Sequence, residues 1–171
     1  MIKALFDKCT PDLLYDNVYG IDFEYLSLRG VKNLLFDIDN TLVPYTSPVP
    51  PDKVSEYILS LKKRGYNVCL ISNNSKERVT LFNKTLELFA VHKAGKPSRR
   101  GLREALEHIG ADIGETAFIG DQIFTDVLAA KRLGMFAVLV KPIDPREDLF
   151  FKLKRLGEKF FLRRYYKRLV K

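Results

Sequence analysis

Residues 34–45 read LLFDIDNTLVPY, and two aspartates, Asp37 and Asp39, stand one residue apart directly after an apolar run. Carboxylates held that close repel one another unless protons or a cation compensate. The chain supplies partners for them: Ser72 and Asn73 in ISNNS, Lys96 in AGKPS, and Asp121 and Asp126 in GDQIFTD. Carboxylates with no Cys/His cluster beside them are hard oxygen donors that favour Mg2+, which takes few protein carboxylates and keeps places for water and a substrate phosphate. In such a set Asp37, at a strand end, is the candidate nucleophile. Asp39 is the candidate acid/base, a role that contributes about 10²–10⁴-fold. Ser72, with the amides of a following helix start, suits phosphate oxygens. Lys96 neutralises phosphate as a point charge and keeps Asp37 ionised. Asp121 is a candidate metal ligand, and Asp126 a second ligand or a group that orients the others.

Taken singly, each piece has a plainer reading. DID is a turn, SNNS a capping loop, Lys96 a surface lysine before proline, and GDQIFTD a glycine-aspartate turn. Their order along the chain decides between the readings, because each follows an apolar run of strand length. Strands are expected at 31–36, 66–71, 89–93, 116–119 and 135–140. Between them, Val54, Ile58 and Leu61 repeat at helical spacing from Pro51 and Asp52 to Lys63, before Gly65. Further helices are expected at 75–88 with Ser75 as N-cap, at 98–109, and at 122–133 before Gly134. Alternating strands and helices predict an α/β fold: a five-stranded parallel sheet covered on both faces. Ligands of such sheets bind beyond the carboxyl ends of the strands. All the chemistry-bearing residues above fall there.

Together, DIDNT, ISNNS, Lys96 in GKP and GDQIFTD resemble the four motifs of the haloacid dehalogenase (HAD) superfamily phosphatases, subclass IIIA. At finer grain LLFDIDNTLVPY and GDQIFTDV are similar to the YqeG-type bacterial phosphatases, a group related to phosphatidylglycerophosphate phosphatases. The resemblance spans residues 37–126 by motif and reaches about residue 140 by element order. It implies a three-layer Rossmann-like HAD fold and a Mg2+-dependent phosphomonoester hydrolase with an aspartyl-phosphate intermediate. Asp37 is implied to attack phosphorus, and Asp39 to protonate the leaving oxygen and then activate water. Asn40, Thr41, Ser72, Asn73 and Lys96 are implied to bind phosphate. The metal is implied to be held by Asp37, the backbone carbonyl of Asp39, Asp121 and Asp126.

The spacings leave no room for a cap domain. Asp39 to Ser72 holds a proline-rich flap, a helix and a strand; Ser72 to Lys96 holds a helix and a short strand. An open crevice suits a large or membrane-borne substrate, such as phosphatidylglycerophosphate. Nucleic-acid ends and small phosphorylated metabolites are the enzymatic alternatives. Tyr45, in the flap VPYTSPVPP, is a candidate substrate contact, with loop packing as its other reading.

The net charge of +8 is unevenly spread. Residues 146–171 carry ten Lys/Arg against three Asp/Glu, and residues 1–145 nineteen against eighteen. The expected organisation is therefore a phosphatase domain at 1–145 and a basic helical extension at 146–171. Leu149, Leu153, Leu156 and Phe160 share a helical face there, and Arg163, Arg164 and Lys167 interrupt it. The tail reads as a helix packed on the body, as a contact for an anionic membrane surface, or as a nucleic-acid contact. The non-enzyme readings are a basic-tailed lipid- or RNA-binding module and a phospho-accepting receiver. A receiver carries its acceptor after the third strand, where this chain has no acid. Oligomeric state is not legible. Cys9, Cys69, His92 and His108 read as packing residues. The N-terminus has no long apolar stretch and no run approaches the roughly 20 residues of a bilayer span. The expected location is cytoplasmic, or peripheral on the inner face of the membrane.

Overall fold

The computed structural model describes residues 6–144, 157, 161–163 and 165–166. In chain order the elements are β1 (Leu13–Tyr15), α1 (Phe23–Leu28), β2 (Asn33–Phe36), α2 (Asp52–Lys63), β3 (Asn67–Ile71), α3 (Lys76–Asn83), β4 (Phe89–Val91), α4 (Arg100–Ile109), β5 (Thr116–Gly120), α5 (Leu128–Leu133) and β6 (Phe136–Val140). The strands form one parallel sheet in the order β1-β6-β5-β2-β3-β4.

Strict alternation along the central strands explains both covered faces. Leu34, Phe36, Leu70, Ile119 and Val138 point into one apolar layer, against Val54, Ile58 and Leu61 of α2. Leu35, Cys69, Ile71, Phe118 and Leu139 point into the other, against Leu102, Ala105 and Leu106 of α4. Each fully buried Leu, Ile or Phe in these layers stabilises the fold by about 1.5–3 kcal/mol. The central strands are thus held in register by their side chains as well as by their ladders. A polar rung lies at the amino end of the sheet. Asn33 donates to the carbonyl of Glu115 (3.2 Å) and accepts from Asn67 (2.8 Å), stitching β5, β2 and β3 together away from the reactive edge.

The five expected strands are present, and the structure adds a sixth. Leu13–Tyr15 pairs with Val138–Val140 at the sheet edge. Three residues with no alternation leave no periodic signal. Asp12 fixes the strand instead: its carboxylate accepts from the Ala137 amide (2.8 Å) and pairs with Lys131 (2.7 Å). The helix expected over 75–88 ends at Asn83, because the Asn83 side chain brackets Leu88, accepting from its amide (3.0 Å) and donating to its carbonyl (2.6 Å). The stretch expected as one helix over 122–133 opens as a wide π turn, Ile123–Val127, before α5. Helix α2 matches its expected bounds, with Gly65 in the left-handed region just beyond it.

In the tail, the Phe161 ring lies tilted against Phe6 (4.9 Å between centroids) and edge-on to Phe124 (5.4 Å), and Tyr165 is buried. The apolar stripe Leu149, Leu153, Leu156 and Phe160 lies outside the described residues, as do Arg164 and Lys167. Among the described residues no helix is long and apolar enough to cross a membrane.

Candidate active site

The carboxyl ends of β2, β3, β4 and β5 meet at a cleft of about 250 Å³. Asp37 is the residue after β2, and its amide still donates to Ile119 of β5 (2.9 Å), so the ladder fixes its backbone. Beyond it the chain turns back on itself. The amides of Thr41, Leu42 and Val43 converge on the Ile38 carbonyl, and Asn40 takes φ +65°, a conformation asparagine tolerates. This turn brings the Thr41 hydroxyl to Asp37 Oδ2 (3.2 Å).

Lys96 enters from the loop after β4. Its ammonium donates to Asp37 Oδ1 (2.6 Å) and to the Ile71 carbonyl (3.3 Å), and pairs with Asp126 Oδ1 at 2.8 Å. Asn73 holds the backbone of Lys96 at two points, accepting from its amide (2.8 Å) and donating to its carbonyl (3.0 Å). Ser72 is buried; its hydroxyl accepts from the Asn74 amide (3.0 Å). Asp126 reaches the site from the π turn, a wide turn of a kind concentrated at functional sites. Its Oδ2 accepts from the Gln122 amide (3.0 Å). Gly120 permits this approach, since a Cβ there would stand 2.5 Å from Asp126 Cβ, Cγ and Oδ2.

The Asp37 carboxyl is pushed up to about 7, the balance of burial, which raises it most, of Lys96, which lowers it, and of Asp126 and Asp39, which raise it. Burial disfavours the Lys96 ammonium, but the Asp126 and Asp37 carboxylates outweigh that cost and raise its pKa. Asp37, Asp121 and Asp126 are all buried, each offering a carboxylate oxygen within 4.8 Å of the others. Among the described residues the Lys96 ammonium pairs with two of these three carboxylates, Asp37 and Asp126. The donors are hard oxygens, so the set fits a hard divalent cation. The Asp39 side chain stands outside this group, so any share it has in the metal falls to its backbone carbonyl.

Asp39 is held differently. Its Oδ1 pairs with Arg78 Nη2 at 2.9 Å and its Oδ2 accepts from Asn74 Nδ2 at 3.2 Å. No motif contains Arg78. It lies in α3, and its position three residues beyond the Ser75 cap carries no chemical signal in the sequence. Of the expected site residues, Asp37, Asp39, Asn40, Ser72, Asn73 and Lys96 line the cleft. Thr41, Asp121 and Asp126 are buried and are not part of the lining. Thr41 gives its hydroxyl to Asp37, Asn73 gives its amide group to Lys96, and the Asn40 side chain accepts from Asp144 (3.3 Å). These side-chain contacts hold neighbouring residues of the site in place. Tyr45, Asn74, Ser75, Lys93, Gln122 and Thr125 complete the lining. His108 stacks on Phe89 (3.7 Å), and both cysteines are free and buried, as packing residues.

The haloacid dehalogenase-like hydrolase family matches residues 46–134, a span that holds Ser72, Lys96, Asp121 and Asp126. The probable phosphatase YqeG of Bacillus subtilis is 32% identical over 95% of this chain and 92% of its own length. Phosphatidylglycerophosphate phosphatase 1 of Arabidopsis thaliana is 28% identical, and this chain spans 43% of it. The Chlamydomonas reinhardtii enzyme of that name is also 28% identical, with 61% of its length spanned. Among solved structures, an uncharacterized protein of Listeria monocytogenes serotype 4b superposes with a TM-score of 0.55 at 19% identity, over 70% of this chain and 86% of that one. A HAD family enzyme of Bacteroides thetaiotaomicron, a magnesium complex, superposes at 0.54 and 17% identity, over 71% and 98%. The two structures share the fold, whereas the bacterial relative matches nearly end to end in sequence. With the family match covering more than half of its residues, this chain belongs to the haloacid dehalogenase-like hydrolases.

Proposed function

We propose that the chain is a Mg2+-dependent phosphomonoester hydrolase working through an aspartyl-phosphate on Asp37. The observation that carries this reading is the separation of the two motif carboxylates. Asp37 sits with Lys96, Asp121 and Asp126, whereas Asp39 sits on Arg78 and Asn74. A nucleophile that attacks a charged phosphoryl group needs a cation beside it, and Asp37 has Lys96 at 2.6 Å. A proton carrier needs a separate place beside the leaving oxygen.

The steps follow from those positions. Asp37 attacks phosphorus, the bond to the leaving alcohol oxygen breaks, and Asp39 gives that oxygen its proton. Asp39 then takes a proton from the water that attacks the aspartyl-phosphate, and inorganic phosphate leaves. Lys96 and the buried Ser72 hydroxyl hold phosphoryl oxygens while Thr41 and Asn73 keep Asp37 and Lys96 in place. Asp37, Asp121 and Asp126, with the backbone carbonyl of Asp39, would hold Mg2+, which when bound would supply positive charge beside the carboxylates and the phosphate.

For the substrate, we favour a large or membrane-borne phosphomonoester, with phosphatidylglycerophosphate as the leading candidate. Two relatives bear that substrate's name. The basic extension from residue 146 provides attraction to an anionic surface. On the body, Lys8, Arg99 and Arg132 line a depression with no carboxylate among its described lining residues. Nucleic-acid ends and small metabolites remain arms of the test. The experiment is phosphate release, with Mg2+ or with EDTA, from phosphatidylglycerophosphate in vesicles, 3′-phosphorylated DNA, phosphopeptides and sugar phosphates. Asp37→Asn is expected to abolish release while keeping the fold. Full turnover of an aryl phosphate by that variant would overturn the reading.

A further inference from the structure

Both oxygens of the Asp39 carboxylate are taken by protein donors, and both donors also reach the proline-rich flap. Arg78 Nη2 meets Asp39 Oδ1 at 2.9 Å, while Nη1 of the same guanidinium donates to the Pro48 carbonyl at 2.9 Å. Asn74 Nδ2 meets Asp39 Oδ2 at 3.2 Å and lies 3.5 Å from the Tyr45 hydroxyl. The chain thus closes a loop from Tyr45 through Asn74, Asp39 and Arg78 to Pro48. We propose that Arg78 is a positioning residue that makes the flap and the Asp39 carboxylate one unit, so that the flap sets the direction in which the proton is delivered.

The contacts fit such a role better than an incidental ion pair. An exposed pair with two free side chains contributes about 0–1 kcal/mol and fixes little. Here the Arg78 and Asp39 side chains are only 14% and 9% exposed. The guanidinium also lies 5.3 Å from the ring centre of Phe82, which is fully buried. The root of Arg78 is fixed as well, because its amide donates to the Ser75 cap at 3.3 Å. A planar fork serves two acceptors in fixed directions, and a lysine ammonium does not reproduce that. A carboxylate gripped on one oxygen still turns about its terminal bond. Gripped on both, it keeps one orientation, and proton transfer depends on hydrogen-bond reach to the leaving oxygen.

The inference rests on Asp39 carrying the proton, so the test separates the two. Two substrates are compared in Mg2+: p-nitrophenyl phosphate, whose leaving group needs little protonation, and butyl phosphate, whose alkoxide needs it fully. Arg78→Ala is expected to lower kcat on butyl phosphate about 10–100-fold more than on the aryl ester, with KM little changed, and Arg78→Lys to recover only part of the loss. The ratio between substrates is independent of how much enzyme is folded. Adding Arg78→Ala to Asp39→Asn is expected to cost nothing further on butyl phosphate. Equal losses on both substrates, or a further loss in the double variant, would overturn the role of Arg78. If Asp39→Asn alone fails to distinguish the two substrates, the assignment of Asp39 falls, and this inference with it.

Discussion

Gly120→Ala is a sharp perturbation of the site because it adds one carbon and changes no charge. The new Cβ would stand 2.5 Å from Cβ, Cγ and Oδ2 of Asp126. Non-bonded carbons rest at about 3.5 Å, so Asp126 must retreat by roughly 1 Å. That retreat stretches two contacts at once: Oδ1 to Lys96 Nζ, now 2.8 Å, and Oδ2 to the Gln122 amide, now 3.0 Å. At an effective dielectric of about 20, moving unit charges from 2.8 to roughly 3.8 Å weakens their attraction by about 1.5 kcal/mol. The overpacking itself costs about 1–3 kcal/mol, or a melting temperature lower by roughly 2–12 °C for a chain of this size. Displacing a group that holds or orients a metal costs about 10–100-fold in affinity. The assay is a Mg2+ titration of aryl phosphate hydrolysis, with the melting temperature measured on the same sample. The titration is run well below the variant's melting temperature, where unfolding does not weaken the apparent Mg2+ constant. A half-saturating Mg2+ concentration equal to the parent's, at full kcat, would refute the close approach as a requirement of the metal site.

Other outcomes follow from the same charges. Lys96→Met leaves Asp37 and Asp126 buried without their shared cation. Breaking a buried pair in this way costs about 3–5 kcal/mol, so the melting temperature in EDTA at pH 8 should fall sharply, and Mg2+ should restore part of it; an unchanged melt would contradict the pairing. In EDTA the parent's own stability should depend on pH. Asp37 is raised to about 7 in the folded state, against about 4 when unfolded. Between those values the folded chain binds a proton that the unfolded chain does not. The stability this gives is present in full below about 4 and lost as pH rises through 7. Urea melts in EDTA should therefore shift to lower midpoint from pH 5 to pH 8, and Mg2+ should flatten the trend; a midpoint that rises over this range would contradict the burial of Asp37. Asn73→Ala removes two bonds to the Lys96 backbone and should lower kcat about 10–100-fold by misplacing the ammonium; full kcat would show that Lys96 is fixed without it.

The gathering of polar residues at the carboxyl edge was legible because Asp37 and Asp121 directly follow buried apolar runs, and Lys96 lies in the loop after a third strand, so parallel topology brings them together. The parts that were not legible lack such a run. Strand β1 has three residues and is held by Asp12, a contact 125 residues away in sequence from its partner Ala137. Arg78 sits among polar helix residues and acquires meaning only when Asp39 and Pro48 arrive beside it. The side-chain contacts of Thr41 with Asp37 and of Asn73 with Lys96 were not legible, since sequence order cannot say which neighbour a hydroxyl or amide meets. The π turn was hidden because Ile123 and Val127 are buried as they would be in a helix. What distinguishes it is Asp126, buried beside a glycine that makes room for it.

The first motif therefore contains two charge systems of different construction. Around Asp37, among the described residues, three buried carboxylates gather about one ammonium, a set of hard donors that fits a divalent cation. Around Asp39 the protein balances charge locally, one carboxylate against one guanidinium, with an amide on the second oxygen. If both carboxylates shared the first environment, metal binding would draw in the proton carrier and leave the departing oxygen without an acid. If both shared the second, no such set of carboxylates would remain to hold a metal. The single isoleucine between them resolves the conflict. Ile38 is fully buried, and its carbonyl gathers the amides that turn the chain. That turn carries Asp39 away from Lys96 and toward Arg78, so two residues of backbone separate the carboxylate proposed to attack from the one proposed to carry the proton.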